Sequence, residues 1–208
     1  MKTALKEWAV LVEALAEGGQ TFLLRKGGIA EGKRGFELKH DRFVFFPTWE
    51  HQHADSIRPQ FHSLFEKLEP PEPNVVEIRY LAQVTDVLRA PVEMEAIERL
   101  VRHHIWGQPF IRLRYEYRPD LPLFIVLPRI FRLPRPVPIP HDRRYAGCRS
   151  WVTLYQDVDV AGAQPVLPGN EFQSARADLL ASLGEAERRT VNKAARTCSR
   201  RSRKNSRR

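Results

Sequence analysis

Two cations beside two glycines, Arg25, Lys26, Gly27 and Gly28, are the residues of this chain best suited to binding phosphate. Backbone N–H groups near glycines can form a concave anion site, and neighbouring Arg and Lys side chains add charge-assisted hydrogen bonds. Lys33 brings a further cation to the same loop. The loop is not a P-loop, because the glycine spacing before a Lys-Ser or Lys-Thr pair is missing. The alternative is a β-hairpin whose glycines supply positive φ and whose cations are solvated.

A Glu-x-Lys pair, Glu37 and Lys39, stands just before an apolar run. Many metal-dependent nucleases hold a divalent ion with such a carboxylate, and the lysine assists the attacking water. These enzymes also need an aspartate on a neighbouring strand, and residues 1–36 contain no Asp. A metal-dependent phosphodiesterase or nuclease is therefore kept as an alternative function, and no catalytic residue is assigned.

Three histidines follow the loop, and His51 and His53 would project to the same side of an extended strand, as two metal ligands do. His40, Glu50 and Asp55 are the nearby residues that could complete a metal site. The other interpretation is a set of hydrogen-bonded histidines around a loop, in which His51 supports the Arg/Lys loop. We assign no metal and no cofactor, and we keep His51 as a candidate support residue.

Residues 110–118 alternate between apolar and charged side chains from Ile111 onwards, which predicts a strand with Arg112 and Arg114 on one face. Such a basic face could contact nucleic acid, with tyrosines stacking on bases. It could equally be a charged surface that protects an exposed sheet. The further residues that would extend this face are Arg79, Arg89, Arg118, Tyr80 and Tyr115.

Two cysteines, Cys148 and Cys198, are too few for a disulfide framework, which favours a reducing, cytoplasmic location. A nucleophilic cysteine needs a general base, and His141 is the only histidine near Cys148 in sequence. A small, partly buried thiol is the favoured interpretation of Cys148. No apolar run approaches the roughly 20 residues of a membrane-spanning helix.

The formal net charge of +9 is concentrated at the C-terminal end of the chain. Residues 185–208 hold ten Lys and Arg against two Glu, which leaves a net charge of +1 for the other 184 residues. This Arg/Ser-rich segment predicts a disordered basic tail that attracts polyanions without specificity. A nucleic-acid site on the folded body must therefore be a local basic patch.

Hydrophobic periodicity and proline positions predict the order of elements. Helices are expected at 4–17, 55–68, 92–106 and 172–183, strands at 20–25, 43–46, 75–88, 110–118, 123–133 and 151–155, and an extended loop at 134–140. The fold class is α+β, with an α/β unit at 5–69, a linker at 70–74, a mainly β unit at 75–184 and a basic tail at 185–208. A small PUA-like barrel is one way in which the strands of the second unit could close.

Several blocks in a fixed order carry a resemblance to a known family. They are Lys6-Glu7-Trp8-Ala9, Leu23 to Ile29 with Glu31, Phe43, Pro47-Thr48, His51-Gln52 and Tyr145 to Val152. Over roughly residues 5–183 the chain resembles the prokaryotic family known as domain of unknown function 1802. Some relatives carry an attached restriction-endonuclease-type domain. The resemblance therefore implies a restriction or DNA-defence setting, with a separate endonuclease-type partner.

The function expected from these observations is nucleic-acid association, with DNA or RNA as partner. Phosphates would bind at the glycine-rich loop and at the basic strand face. The residues assigned to this binding are Arg25, Lys26, Gly27, Gly28, Lys33, Arg112 and Arg114. A protein-binding adaptor without catalysis is the remaining alternative.

Overall fold

A computed structural model describes residues 1–26, 36–66, 68, 75–147 and 149–183. The strands are β1 (Thr3–Trp8), β2 (Leu23–Arg25), β3 (Arg42–Thr48), β4 (Val75–Arg89), β5 (Phe124–Pro140), β6 (Trp151–Thr153) and β7 (Gln164–Pro165). The α-helices are α1 (Ala9–Ala16), α2 (His62–Glu66), α3 (Met94–Glu98), α4 (Gln108–Glu116) and α5 (Gly169–Ser182). Short 3₁₀ turns lie at Ala54–Ser56, Pro59–Phe61, Val101–His103 and Arg143–Tyr145.

One mixed sheet organises the molecule, in the order β2-β5-β4-β3-β1-β6, with β7 added on β5. β1 and β3 are parallel and the other pairs are antiparallel. The predicted α+β class is thereby confirmed, and the sheet curls into a half-barrel. Strands from both sides of the segment 70–74 pair in this sheet. The division into two units, the linker and a closed PUA-like barrel stay predictions.

The helix predicted over 4–17 is wrong in its first half, because residues 3–8 form β1. β1 is paired on both sides, with Ala4 opposite Val44 of β3 and opposite Val152 of β6. Helix α1 then begins at Ala9, and all its residues except Glu13 are buried. Pairing with two strands outweighs a helical spacing of apolar residues in so short a segment.

The strand predicted over 110–118 is also wrong, because residues 108–116 form helix α4. Gly107 precedes the helix and Pro109 occupies its first turn, where proline is tolerated. The helix buries Phe110 and Ile111, whereas Leu113 is 59% exposed, which a buried strand face would not allow. Arg112 and Arg114 therefore do not form a basic strand face.

The prolines of residues 134–140 lie in β5 and not in a loop. Val75 and Glu77 of β4 are opposite Pro140 and Pro138, while the intervening pairs carry Ile139 and Val137. Proline lacks an N–H group, so the ladder hydrogen bonds along this stretch must come from the intervening residues. Within residues 134–140, the alternating prolines also leave no N–H donors on the side of β5 that faces away from β4, which disfavours pairing with another chain there.

The helices share one apolar core with β4 and β5, built around Trp106, Phe110 and Ile125. Helices α2 and α3 are shorter than the helices predicted over 55–68 and 92–106. Helix α5 is fixed to β4 by two hydrogen bonds of 2.6 Å each from Arg176 to Asp86. No helix in the described ranges combines the length and apolar character needed to cross a membrane.

Candidate anion-binding cleft

A cleft of about 410 Å³ opens where the C-terminal ends of β1 and β3 meet helix α4. Because β1 and β3 are parallel, the residues that end both strands come together at this edge of the sheet. Its volume lies within the roughly 300–1,000 Å³ typical of small-molecule sites. The lining residues are Lys6, Glu7, Trp8, Leu24, Arg25, Lys26, Thr48, Glu50, His51, His53, Ser56, Phe110, Leu113, Arg114, Gly147, Arg149 and Ser150.

A buried ion pair between Arg25 and Glu7 forms the floor of the cleft. Arg25 Nη1 donates to Glu7 Oε2 at 2.9 Å, and the two residues are only 8% and 6% exposed. The second carboxylate oxygen of Glu7 accepts the backbone N–H of Trp8 at 2.9 Å. Arg25 also lies 5.3 Å from the ring centroid of Phe36. Glu7 thus holds Arg25 in place and compensates its charge.

Lys26 stabilises the C-terminal end of helix α4. Its ammonium donates to the backbone carbonyls of Arg114 at 3.1 Å and Tyr115 at 2.8 Å. These carbonyls belong to the last turn of the helix, where no further backbone N–H of the helix is available to donate to them. The helix dipole also favours a cation at this end. Lys26 is 4% exposed, and burial lowers its pKa, while the nearby Asp120 opposes that shift. The backbone carbonyl of Lys26 accepts from Phe36 N at 3.1 Å, so the two ends of the loop lie side by side.

Arg114 is the least compensated cation of the cleft. Burial lowers its pKa, Glu7 opposes the shift and Arg25 adds to it. Its Nε atom is buried without a hydrogen-bond partner among the described residues. The guanidinium lies 4.9 Å from the ring centroid of Phe110, whose ring is also 5.1 Å from that of Trp8. A single buried ring therefore positions both an arginine and a partly exposed tryptophan at the cleft.

Gly147, Arg149 and Ser150 form another part of the cleft wall, and Lys6 of β1 bonds to residues on both sides of position 148. Lys6 Nζ donates to the carbonyls of Tyr145 at 2.8 Å and Gly147 at 3.1 Å, and its backbone N–H donates to the Ser150 carbonyl at 2.8 Å. Arg149 is exposed on this wall. Gly147 has φ +83°, a conformation that favours glycine.

The structure brings three of the predicted binding residues together: Arg25, Lys26 and Arg114 line the cleft. Arg25 and Lys26 are buried and internally bonded, so they are not the solvated cations of a plain hairpin turn. Arg112 is exposed and does not line the cleft, although it lies on the same helix as Arg114. Gly27, Gly28, Lys33 and Cys148 lie outside the described residues.

The two tyrosines proposed for stacking on bases donate hydrogen bonds within the protein instead. Tyr80 is 2% exposed and donates to Glu13 at 2.7 Å, and Tyr115 donates to the Pro91 carbonyl at 2.8 Å. Arg79 and Arg89 are exposed on β4, and Arg79 is paired with Glu77. The predicted extended basic surface is thus replaced by a compact cleft.

The candidate metal and nuclease residues separate into two groups. Glu50, His51 and His53 line the cleft, and His51 adopts φ +61°. Glu37 and Lys39 are exposed and do not line it. Within the described part of the chain, no group of three or more His, Cys, Asp or Glu side chains could hold a metal ion. The role of His51 as a support for the loop stays a prediction.

Sequence reasoning missed Glu7, Trp8 and Lys6 because it placed them on an amphipathic helix. The signal that could have identified them is a charged pair, Lys6-Glu7, directly before a long apolar run, Ala9 to Ala16. A buried carboxylate requires a cationic partner, and Arg25 supplies it from the next strand along the chain.

The fold and the cleft define a mixed α+β protein with a recessed cationic site at the edge of its sheet. The chain belongs to the family described as Domain of unknown function (DUF1802), whose model matches residues 4–178.

Two solved structures of an ASCH protein from Zymomonas mobilis are similar to this chain. One is a mutant form that is 14% identical to this chain. The match covers 84% of this chain and 94% of the mutant protein's chain, with a TM-score of 0.39. The other is 12% identical, covers 85% and 94%, and has a TM-score of 0.41. A likeness this distant indicates neither function nor site residues. No match was found among curated proteins.

Proposed function

We propose that this protein binds nucleic acid and that phosphate groups dock in the cleft against Arg114. The observation that carries the proposal is the charge of the cleft wall. Five cationic side chains line the cleft, and only two carboxylates, Glu7 and Glu50, accompany them; the cations are Lys6, Arg25, Lys26, Arg114 and Arg149. On an otherwise almost neutral body, this surplus is the local basic patch that a nucleic-acid site requires.

The energetics of Arg114 favour an anionic ligand. A guanidinium remains protonated at any ordinary pH, so burial penalises its charge without removing it. The lowered pKa of Arg114 reports this penalty, which burial mainly causes. A phosphate in the cleft would supply the missing opposite charge and accept charge-assisted hydrogen bonds.

The basic segment 185–208 supports the same function from outside the described residues. Its ten cations would strengthen attraction to any polyanion in a salt-dependent way. A restriction or DNA-defence setting, with an endonuclease-type partner, is a further part of the proposal, and only the family resemblance supports it. DNA and RNA are both candidate ligands.

The experiment is a fluorescence-anisotropy titration of labelled single-stranded and duplex DNA and RNA over a salt series. It compares the full chain with the variants Arg114→Ala and Arg112→Ala. The two arginines lie on one helix and carry the same charge, but only Arg114 lines the cleft. All three proteins contain residues 185–208, so a difference in their affinities does not come from that basic segment.

We expect Arg114→Ala to weaken binding about tenfold and to lower the slope of log affinity against log salt by about one. Arg112→Ala should change affinity by about twofold at most. Equal losses in the two variants would mean that binding depends on overall charge and not on the cleft. If none of the three proteins bound nucleic acid, the result would favour a protein-binding adaptor.

A further inference from the structure

The cations on the floor of the cleft are recessed, and this depth restricts the kind of phosphate that can reach them. Arg25 and Lys26 are 8% and 4% exposed, whereas Arg112 stands exposed on the outer face of α4. A duplex presents its phosphates along a stiff, convex backbone that would contact exposed cations first. A phosphate at the end of a chain is attached through one ester bond only and can enter a narrow cleft.

We infer that the cleft recognises a phosphomonoester, either a free nucleotide or the phosphorylated end of a single strand. This inference rests on the proposed function and specifies the ligand of that same site.

Charge balance supports this choice of phosphate. Among the described residues, the cleft is lined by three more cations than carboxylates: Lys6, Arg25, Lys26, Arg114 and Arg149 against Glu7 and Glu50. A phosphomonoester carries about 1.5 to 2 negative charges at pH 7, whereas each phosphodiester of a nucleic-acid backbone carries about one. The terminal phosphate therefore matches the surplus more closely than an internal phosphate does.

Apolar side chains beside these cations explain why the ligand would carry a nucleobase. Trp8 lines the cleft and is partly exposed, and its ring lies 5.1 Å from that of Phe110, the ring that Arg114 also contacts. Leu113, which also lines the cleft, is 59% exposed and adds apolar surface beside Trp8. Stacking of a base on an aromatic ring is the usual means by which proteins bind unpaired nucleotides.

The test measures binding of the full chain to single strands of about twelve nucleotides. Matched strands differ only in a phosphate or hydroxyl at the 5′ end, or at the 3′ end, with the fluorophore at the opposite end. A blunt duplex with phosphorylated ends, and adenosine 5′-monophosphate, adenosine and inorganic phosphate as competitors, complete the set. Arg114→Ala is the test variant and Arg112→Ala is its control.

Of the two phosphorylated strands, 5′ and 3′, we expect one to bind about tenfold more tightly than the matched strand with a hydroxyl at the same end. Arg114→Ala should abolish this advantage and Arg112→Ala should retain it, while duplex ends should show none. Adenosine 5′-monophosphate should compete better than adenosine or inorganic phosphate.

The outcomes separate this inference from the function on which it rests. Equal binding of phosphorylated and hydroxyl strands, with both weakened by Arg114→Ala, would overturn the phosphomonoester and leave the nucleic-acid cleft intact. Binding that Arg114→Ala does not change would overturn both. Inorganic phosphate competing as well as the nucleotide would contradict the base contact at Trp8.

Discussion

Two arginine–carboxylate pairs in this molecule, each with a buried carboxylate, differ in their surroundings. Arg176 and Asp86 join α5 to β4 through two parallel hydrogen bonds of 2.6 Å, one guanidinium for one carboxylate. Arg25 and Glu7 form a pair in which both side chains are buried, whereas Arg176 is one third exposed, and Lys26 and Arg114 share the cleft with Arg25 and Glu7. The first pair matches one cation with one carboxylate in a bidentate arrangement, and the second lies in a cleft with an excess of positive charge.

The comparison shows how a structural ion pair is distinguished from a binding site. Bidentate geometry and matched charge, as in Arg176–Asp86, satisfy both partners and leave no reason for a ligand. The Arg25–Glu7 pair fixes the geometry of the cleft, while Arg114, whose Nε atom is unpartnered among the described residues, is left to interact with an anion. Position in a cleft and surplus charge, and not the presence of arginine alone, indicate the site.

The largest expected effect is on stability and applies to both pairs. Arg25→Ala and Arg176→Ala each leave a carboxylate buried without its cation, which should lower the free energy of unfolding by about 3–5 kcal/mol. Urea unfolding followed by circular dichroism measures this loss. Binding by the folded fraction should fall only in Arg25→Ala. Equal binding defects in both variants would show that the two pairs do not differ in function.

Another buried group, His104, determines how the stability of the fold depends on acid pH. Burial lowers the pKa of His104 from 6.5 to about 4, and burial likewise lowers the pKa of the neighbouring His103. The unfolded chain therefore binds protons more readily than the folded one, so stability is complete above about pH 6.5 and is lost as the pH falls towards 4. We expect a loss of about 3 kcal/mol across this window.

Urea unfolding at a series of pH values tests this loss. His104→Gln, which keeps an N–H donor for the Ile97 carbonyl, should flatten the profile, whereas the same change at the exposed His51 should not. An unchanged profile in His104→Gln would assign the acid sensitivity to other groups.

A smaller effect is expected at Lys26. Lys26→Met keeps the aliphatic stem but removes the ammonium from the Arg114 and Tyr115 carbonyls, which should cost about 1–2 kcal/mol of stability. Hydrogen exchange should become faster in the last turn of α4. Lys39→Met, at an exposed position outside the cleft, is the matched control. If both variants were equally stable, Lys26 would not be an effective cap.

Local pattern was sufficient where a segment is long and strongly periodic. The strand predicted at 75–88 is β4, and the strand predicted at 123–133 is the first part of β5. The helix predicted at 172–183 corresponds to α5. These segments combine strong periodicity with clear boundaries, so tertiary contacts reinforce the local preference.

The site itself depends on contacts that no local pattern reveals. Lys26 and Tyr115 are 89 residues apart in sequence, and Arg25 and Glu7 are 18 apart. The residue types at 25, 26 and 114 predicted cations for one site, and the structure places all three in the cleft, but they did not indicate that two of these side chains are buried supports. Residues 110–118 were misassigned because an alternating pattern also arises by chance in a nine-residue helix.

Photo-crosslinking tests the location of the binding site most directly. A 5′- or 3′-phosphorylated single strand carrying 4-thiouridine at its terminal nucleotide would be irradiated with the full chain, and crosslinked peptides identified by mass spectrometry. We predict crosslinks at the cleft rim, on the peptides containing Trp8 or Leu113, that disappear in Arg114→Ala and persist in Arg112→Ala. Crosslinks confined to residues 185–208, or unchanged in Arg114→Ala, would contradict a phosphate-binding cleft.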